Sequence, residues 1–294
     1  FPNSIEVVNF VNRGILIPAK VTGENSLEND DLGTIKGNFI KHYPKGSDVK
    51  LLIQPEDLEH DDSSNLKLEV VDRQFRGTNF IYTLKTQNNL IKSQKKLSMV
   101  IVDKKIYFNN SIGDISAVSL EKGELLWQLP TQSSLVIESA FGLETSEIVA
   151  DKDTIFFSNN KNQFFSVDIN TGSFNWENKI NSDLRSTIID DIIISISLEG
   201  YLIITDKRSG NIIRVTDIFQ NFKIKKRSKI KPTGFIVGLN KIYLSTSNGR
   251  LLVIDIITGK TITVLKIDNE KISRPFVLGD SLFLIKDNAV IKLN

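Results

Sequence analysis

Short apolar runs separated by polar turns recur through about the last two hundred residues of the chain. Five of these runs are rich in β-branched and aromatic residues: residues 105–108, 154–157, 191–194, 241–244 and 281–284. A second strand follows after a short polar turn, as at residues 158–162, 199–200 and 248–249. Apolar strands joined by such turns are typical of β-hairpins. The pattern therefore predicts an all-β fold built from repeated hairpins.

The second strand of the repeat ends at a turn with the pattern Asp-x-x-[Ser/Thr]-Gly. The turn glycines are 49, 38 and 49 residues apart, which suits one four-stranded propeller blade per repeat and is too long for an ankyrin or leucine-rich unit. We expect the aspartate to accept backbone N–H bonds and the glycine to take a positive φ. These structural turn residues are Gly123, Asp168, Gly172, Asp206, Gly210, Asp255 and Gly259.

Tryptophan follows the turn glycine by four residues in two repeats, as Trp127 and Trp176. A large indole at this position suits packing between neighbouring blades, so we predict that both side chains are buried at equivalent places. Arg214 and Thr263 replace the tryptophan in two other repeats. At about 40 to 50 residues per unit, this half of the chain would form a partial or small propeller of four to five blades.

Composition excludes several kinds of chemistry. The 294 residues contain no cysteine, so disulfides, thiolate nucleophiles and cysteine-ligated metals are excluded. Both histidines, His42 and His60, lie outside the repeats, which excludes a histidine metal site or a serine-histidine triad within them. The formal net charge of +2 gives no indication of a nucleic-acid partner. We expect no catalytic residue, cofactor or metal site.

The chain has no run approaching the roughly 18 apolar residues that span a bilayer. Its N-terminus lacks the charged-then-apolar pattern of a signal segment. The first residue is Phe1 rather than Met, which leaves open a removed leader, lipid anchor or upstream domain. We therefore expect no transmembrane segment in this chain, and its oligomeric state stays open.

The repeats resemble those of a known family. Residues 117–127 and 166–176 are similar to the pattern Ala-x-Asp-x-x-Thr-Gly-x-x-x-Trp of PQQ-like β-propellers. That family includes quinoprotein dehydrogenases and non-enzymatic outer-membrane assembly factors of the BamB type, and residues 232–294 resemble the closing blades of the latter. Dehydrogenases of this family use adjacent cysteines and acidic calcium ligands, whereas this chain lacks cysteine. The resemblance implies a protein-binding scaffold, with a quinone-dependent dehydrogenase as an alternative.

An inter-blade loop contains the candidate partner contacts. In BamB-like proteins a Leu-Arg pair in such a loop is associated with contact to the barrel-forming assembly partner, and Leu184 and Arg185 occupy a comparable place. The resemblance implies that both side chains bind an outer-membrane barrel assembly component, in the periplasm or at the outer membrane. An ordinary exposed loop is the alternative. Lys229 and Lys231 stand where the family has an acidic pair.

Residues 223–231 form the one concentrated cluster of charge, with five lysines and one arginine. We interpret this run as a solvated inter-blade loop. An acidic partner or anionic lipid head groups are the alternatives, because basic residues near a negatively charged surface are attracted to it.

The first ninety residues lack the repeat and predict a small, separate β-barrel. Strands are expected at residues 14–21, 49–53, 66–71 and 79–84, and the polar stretch 86–96 is expected to be a linker. Residues 51–57 and 71–82 resemble the Arg-Pro-Glu-Asp and Phe-Arg-Gly elements of the TOBE domain of ferric-iron-type ABC importers, although Gln54 replaces the arginine. The sequence contains no Gly-x-x-x-x-Gly-Lys-[Ser/Thr] loop for a nucleotide phosphate.

The chain is thus expected to have two domains, a TOBE-like domain over residues 1–92 and PQQ-like repeats over residues 97–294. The two resemblances imply different compartments, because a TOBE domain belongs on the cytoplasmic side of an importer. The leading interpretation is a protein-binding scaffold. A regulatory remnant of an iron importer fused to a propeller is the alternative, and the sequence leaves open whether the chain is a natural fusion or a truncated product.

Overall fold

A computed structural model describes residues 14–37, 42–58, 64–76, 79–110, 113–131, 143–286 and 289–293. The chain forms two compact units, Phe1–Leu97 and Ser98–Asn294. Antiparallel strands make up nearly all regular structure in both units. His60 and Gly77, the latter part of the TOBE-like motif, lie outside the described residues.

The described part of the first unit contains two separate sheets rather than the single barrel sheet expected from the sequence. The first sheet has the spatial order 3-2-1-4 and consists of β1 (Ile15–Gly23), β2 (Ser26–Asn29), β3 (Gly33–Lys36) and β4 (Asp48–Ile53). A 3₁₀ turn, Pro55–Asp57, follows it. The second sheet consists of β5 (Glu69–Arg76), β6 (Asn79–Lys85) and β7 (Leu90–Lys96) in sequential order.

Asp31 connects these two sheets. Its carboxylate, in the turn after β2, accepts hydrogen bonds from Thr86 Oγ1 at 2.6 Å, Asn88 Nδ2 at 2.7 Å and Asn89 Nδ2 at 2.8 Å. All three donors belong to the turn between β6 and β7. The hydrogen bond from Thr86, followed by the others, lowers the pKa of Asp31 from its usual value because each favours the charged form.

The predicted linker at residues 86–96 is wrong. Residues 86–89 form the turn that Asp31 holds, and β7 pairs along its full length with β6. Ile91 and Ser93 are buried on the same face of β7. The lysines among these residues made the stretch look like a polar connection, whereas Lys92 lies between the two inward residues as in a half-buried strand.

The second unit contains four four-stranded sheets and one three-stranded sheet among its described residues, each a meander of consecutive antiparallel strands. We call them blades 1 to 5. Blade 1 consists of β8 (Met99–Val102), β9 (Lys105–Asn109), β10 (Ile115–Ser119) and β11 (Leu125–Leu129). Blade 2 consists of β12 (Val149–Ala150), β13 (Thr154–Asn159), β14 (Gln163–Asp168) and β15 (Phe174–Asn178).

Blade 3 consists of β16 (Thr187–Ile189), β17 (Ile192–Ile196), β18 (Tyr201–Asp206) and β19 (Ile212–Asp217). A short helix, α1 (Ile224–Arg227), lies in the connection to blade 4. Blade 4 consists of β20 (Pro232–Val237), β21 (Lys241–Thr246), β22 (Arg250–Asp255) and β23 (Thr261–Lys266), and blade 5 of β24 (Phe276–Leu278), β25 (Ser281–Lys286) and β26 (Ala289–Leu293). Four-stranded meanders of this kind are the units of a β-propeller, which confirms the predicted fold class.

The hydrophobic core lies between neighbouring blades. One cluster joins Tyr107 and Ile115 of blade 1 to Ile155 and Phe157 of blade 2. Another joins blades 3 and 4 through buried side chains of β17, β18, β21 and β22. The two middle strands of blades 2, 3 and 4 are therefore buried on both faces, which explains their continuous apolar runs in the sequence.

The order of strands within a blade differs from the sequence prediction. The apolar runs that were expected to open each repeat are the second strands, and another strand precedes each one, shorter in every blade except blade 4. β12 has two residues and β16 has three, too short to show an alternating pattern. Trp127 and Trp176 consequently lie on the fourth strands, β11 and β15.

The antiparallel order places the connections at two ends of each blade. The inter-blade loops and the turns between second and third strands lie at one end, which we call the loop end. The Asp-x-x-[Ser/Thr]-Gly turns lie at the other, which we call the turn end. An ion pair at 3.6 Å between Arg208, in such a turn of blade 3, and Asp191, between β16 and β17, is consistent with this assignment.

Candidate protein-binding site

The aspartates of the repeat turns have the structural role expected from the sequence. Oδ1 of Asp168 accepts hydrogen bonds from Thr171 N at 2.8 Å and Thr171 Oγ1 at 2.9 Å. Asp206 binds Ser209 N and Oγ in the same way, both at 2.7 Å, and Asp255 binds Thr258 N and Oγ1, both at 2.7 Å. These bonds, with the backbone N–H first, lower the pKa of all three carboxyl groups.

The turn glycines allow neighbouring blades to approach closely. Gly123, Gly172, Gly210 and Gly259 have φ between 70° and 74°, the left-handed region that favours glycine. A Cβ at Gly172 would lie 2.7 Å from the indole of Trp127, and one at Gly210 would lie 2.7 Å from the indole of Trp176. The fourth strand of one blade therefore packs directly on the turn of the next.

Each tryptophan also donates a hydrogen bond across the same junction. Nε1 of Trp127 donates to the Ile169 carbonyl at 3.3 Å, and Nε1 of Trp176 donates to the Lys207 carbonyl at 3.0 Å. The two positions are equivalent, as predicted, but both side chains are half-buried rather than fully buried. The fourth strands β11 and β15 are exposed at most of their other positions, so part of each indole contacts solvent.

Arg214 replaces the tryptophan in blade 3 and retains its hydrogen bonding. Its guanidinium donates to the Ile256 carbonyl at 2.7 Å and also to the Ile257 carbonyl, both in the turn of blade 4. The sequence indicated a weaker repeat at this point. The structure shows instead that a planar cation replaces the indole as the donor across the junction, because both side chains present N–H groups to the carbonyls of the following turn.

Leu184 is buried, in contrast to the exposed side chain expected for a partner contact. Only 8% of its surface is exposed, and it belongs to the core cluster between blades 3 and 4. Ser182 holds the loop around it, since its Oγ donates to the Ile196 carbonyl at 2.7 Å and accepts from Leu184 N at 3.2 Å. Leu184 therefore fixes the loop from inside.

Arg185 follows immediately and is exposed at the loop end. Its guanidinium lies 3.3 Å from Oε2 of Glu147, in the connection before β12. Arg274, in the connection before β24, lies 3.7 Å from the same oxygen. Two cations thus share one carboxylate. Glu147 lies in the loop that leads into blade 2, Arg185 in the loop into blade 3 and Arg274 in the loop into blade 5.

Arg274 is held in place more firmly than Arg185. Its Nε donates to the Phe235 carbonyl at 3.0 Å, and its side chain fills the space above Gly234, where a Cβ would lie 2.5 Å from Arg274 Cβ. Burial, followed by repulsion from Arg185, lowers the pKa of Arg274, whereas Glu147 raises it. Sequence reasoning missed Glu147 and Arg274, because both lie far from Arg185 along the chain and share no motif with it.

This arrangement can bind an additional anionic group. Glu147 neutralises one of the two guanidinium groups, so the cluster retains a formal positive charge. Arginine donors in a planar fork suit a carboxylate of a partner protein. Lys229 and Lys231 are exposed at the same loop end.

The described residues contain no group of three or more His, Asp or Glu side chains placed to hold a metal ion. The helices of the described part of the chain are too short to cross a membrane.

Residues 83–216 match the model of a PQQ-like family described as outer membrane protein assembly factor BamB. This match confirms the resemblance of the repeats and extends from β6 to the end of blade 3. No curated protein matches the sequence. The TOBE resemblance finds no support among these matches, and the family match begins at residue 83, inside the predicted TOBE-like domain of residues 1–92.

Many solved structures are similar to this chain, and two of them are β-propellers from BamB and Cps50 (Swd1). BamB from Moraxella catarrhalis has 12% sequence identity and a TM-score of 0.54, with 95% of this chain and 81% of that protein covered. The β-propeller domain of Cps50 (Swd1) from Myceliophteria thermophila has 12% identity and a TM-score of 0.50, with 74% and 65% covered. At such identity the similarity shows the propeller fold alone.

Proposed function

We propose that this protein is a non-enzymatic scaffold that binds another protein through the inter-blade loops at its loop end. The observation that carries the proposal is the loop before β16, in which buried Leu184 fixes the backbone and exposed Arg185 joins a cationic cluster with Arg274. Binding residues on loops held by a rigid scaffold are a common arrangement. A fixed, solvent-facing arginine suits an interface anchor, because arginine is enriched among binding hot spots.

The family match supports a particular partner and place. Its description is that of an outer-membrane assembly factor, so we propose an outer-membrane barrel assembly component as the partner, and the periplasm or the outer-membrane surface as the location. Because the cluster is cationic, we expect it to bind an acidic segment of that partner. An acidic pair at this surface would instead favour a basic segment.

The absence of catalysis is part of the proposal. The sequence has no cysteine to act against a quinone, and its repeat aspartates are engaged by backbone N–H groups of their own turns. We expect the absorbance spectrum of the protein to be unchanged after incubation with quinone and calcium, and no alcohol to be oxidised. Turnover in that assay would reject the scaffold proposal.

Replacing Arg185 tests the binding site. Arg185→Ala should weaken capture of a purified barrel assembly protein by more than about 1 kcal/mol, measured as a change in Kd by biolayer interferometry. Glu147 keeps Arg274 as a partner in this variant, so no carboxylate is left isolated. The free energy of unfolding should change by less than about 0.5 kcal/mol, because the pair is at the surface.

Arg208→Ala is the matched control. Arg208 also forms an exposed ion pair, at 3.6 Å from Asp191, but lies at the turn end of the same blade. Its removal should leave Kd unchanged. Equal loss of binding in both variants would contradict a site at the loop end, and a parent protein that does not bind the barrel component would contradict the proposed partner. Leu184→Ala cannot serve as a test of binding. Truncation of this buried side chain leaves a cavity and lowers the free energy of unfolding by about 2–5 kcal/mol.

A further inference from the structure

The connection between blades 3 and 4, residues 218–231, forms a compact basic loop at the loop end. It contains α1 and six basic residues, with no acidic residue after Asp217. The proposed protein-binding site is centred on Arg185 and Arg274, whose contacts include no residue of this loop. Its structure answers the question that the sequence left open, namely whether the charge cluster is only a solvated connection.

The basic loop is anchored at both ends. Ile218, Phe219 and Ile230 are buried in the core between blades 3 and 4, and Phe222 packs edge-on against Phe219 at 5.6 Å. A flexible solvated loop would not bury three large side chains. The loop therefore holds the residues between its anchors in a fixed outward position.

Arg227 reinforces this shape and uses the local negative charge. Its guanidinium pairs with Asp217 at 2.7 Å and donates to the carbonyls of Gln220 at 2.7 Å and Phe222 at 3.0 Å. The arginine is thus an internal clamp of the loop. Since Asp217 is neutralised, the remaining positive charges have no acidic neighbour within the loop.

Five lysines surround the clamp and are all exposed. None of them forms an ion pair within the part of the chain that the structure describes: Lys223, Lys225, Lys226, Lys229 and Lys231. Mutual repulsion makes such a concentration unfavourable in isolation, and it is relieved when an extended anionic surface approaches. The anchored backbone supplies the surface, so little ordering is needed on binding.

Ile224 distinguishes between the possible anionic partners. It is the first residue of α1, and 83% of its surface is exposed between Lys223 and Lys225. An apolar side chain ringed by lysines can enter the boundary between head groups and acyl chains while the ammonium groups meet phosphates. A purely electrostatic contact with an acidic polypeptide would leave the Ile224 side chain in water.

We propose that the basic loop binds the surface of an anionic phospholipid membrane, with Ile224 entering the interface and the five lysines contacting phosphate head groups. Each lysine near such a surface increases the partition coefficient roughly fivefold at moderate salt. Burial of Ile224 adds about tenfold. The contact is reversible and weakens as salt rises, because the Debye length shortens.

Sedimentation of the full chain with lipid vesicles tests this proposal. We expect binding to vesicles of phosphatidylcholine with phosphatidylglycerol and none to phosphatidylcholine alone. Lys225→Gln with Lys226→Gln should lower the partition coefficient by about 25-fold, and Ile224→Ser should lower it by about tenfold. Thermal midpoints should be unchanged, since all three side chains are exposed.

Lys241→Gln with Lys260→Gln is the matched control, because both lysines are exposed at the turn end and their loss changes net charge equally. An equal effect of the two double variants would show attraction by net charge alone and overturn the proposal. Full retention of vesicle binding by Ile224→Ser, together with tight binding of polyglutamate, would identify an acidic polypeptide as the partner and also overturn it.

Discussion

A single carboxylate oxygen closes each of three repeat turns. Asp168, Asp206 and Asp255 accept both a backbone N–H and a side-chain hydroxyl from the residue three positions later. These bonds are stronger to the ionised form, which is why the pKa of each group is lowered in the folded chain. The aspartates therefore stabilise the turns most when they are charged.

The free energy of unfolding should reflect these three groups at low pH. Because the folded pKa lies below the ordinary value of 3.8, their contribution is fully present above that pH and is lost as pH falls through the folded pKa. Asp255→Asn should make the decline of stability below about pH 4 shallower, measured by urea unfolding followed with tryptophan fluorescence.

Asp280→Asn is the control for the loss of one exposed negative charge, since Asp280 lies in the turn between β24 and β25. A steeper decline in the Asp255 variant, or the same change in both variants, would contradict the role of the turn carboxylate.

The candidate site shows what a sequence reveals about single residues. Arg185 was identified from its place in an inter-blade loop, and it is indeed exposed at the loop end. The same pattern wrongly predicted an exposed Leu184, because the direction of a side chain in a loop is set by packing from another blade rather than by local periodicity. Glu147 and Arg274 approach Arg185 only in the folded structure, and no local sequence pattern indicates this contact.

At the scale of elements, the junction between blades depends on a glycine meeting a large side chain. Gly210 packs under Trp176, where a Cβ would lie 2.7 Å from the ring, whereas Gly123 has open space around the same position. The two glycines have nearly the same backbone conformation, with φ of 74° and 70°. Substitutions at the two positions therefore distinguish the effect of a positive φ from the effect of close packing.

Gly210→Ala should destabilise the fold more than Gly123→Ala. The second change costs only the strain of a left-handed alanine, about 1 kcal/mol, and the first should add about 1–3 kcal/mol of overpacking. Chemical denaturation of both variants measures the difference. In a Trp176→Ala background the two alanine substitutions should cost about the same, because the ring is gone. An additive cycle would contradict direct packing of Gly210 on Trp176.

The sequence predicted the long elements well and the short ones badly. Strands with a continuous apolar run, such as β13 and β17, and the glycine turns after β14, β18 and β22 were located within a few residues. The sequence analysis missed the first strands of the blades. These strands have only two to six residues, and they form because they pair with the second strand rather than because of an apolar pattern of their own. In the first unit, β7 was mistaken for a linker because its lysines obscured the inward Ile91 and Ser93.

At the scale of the whole molecule, the boundary between the compact units differs from the start of the family match. The first compact unit ends at Leu97, whereas the family match begins at residue 83 and continues across that boundary. The similarity to BamB covers 95% of the chain, so it also reaches well into the first ninety residues. We retain independent folding of residues 97–294 as a proposal.

A fragment starting at Ser98 should fold without the first unit. We expect the thermal midpoint of residues 98–294 to match that of a longer fragment, residues 79–294, which adds β6 and β7. Near-ultraviolet circular dichroism reports on both tryptophans in each fragment. If only the longer fragment shows ordered tryptophans, the boundary lies upstream and the two-domain proposal fails.

The fourth strand of each of blades 1 to 3 carries one side chain that donates to the turn of the following blade, which has a consequence during synthesis. The indole of Trp127 donates to a carbonyl 42 residues later, that of Trp176 to one 31 residues later, and the guanidinium of Arg214 to one 42 residues later. A ribosome produces these three donors before their acceptors, so each N–H is first bound to water. The carbonyl of the following blade then replaces that water, and each of the three junctions closes only after the next turn has been translated.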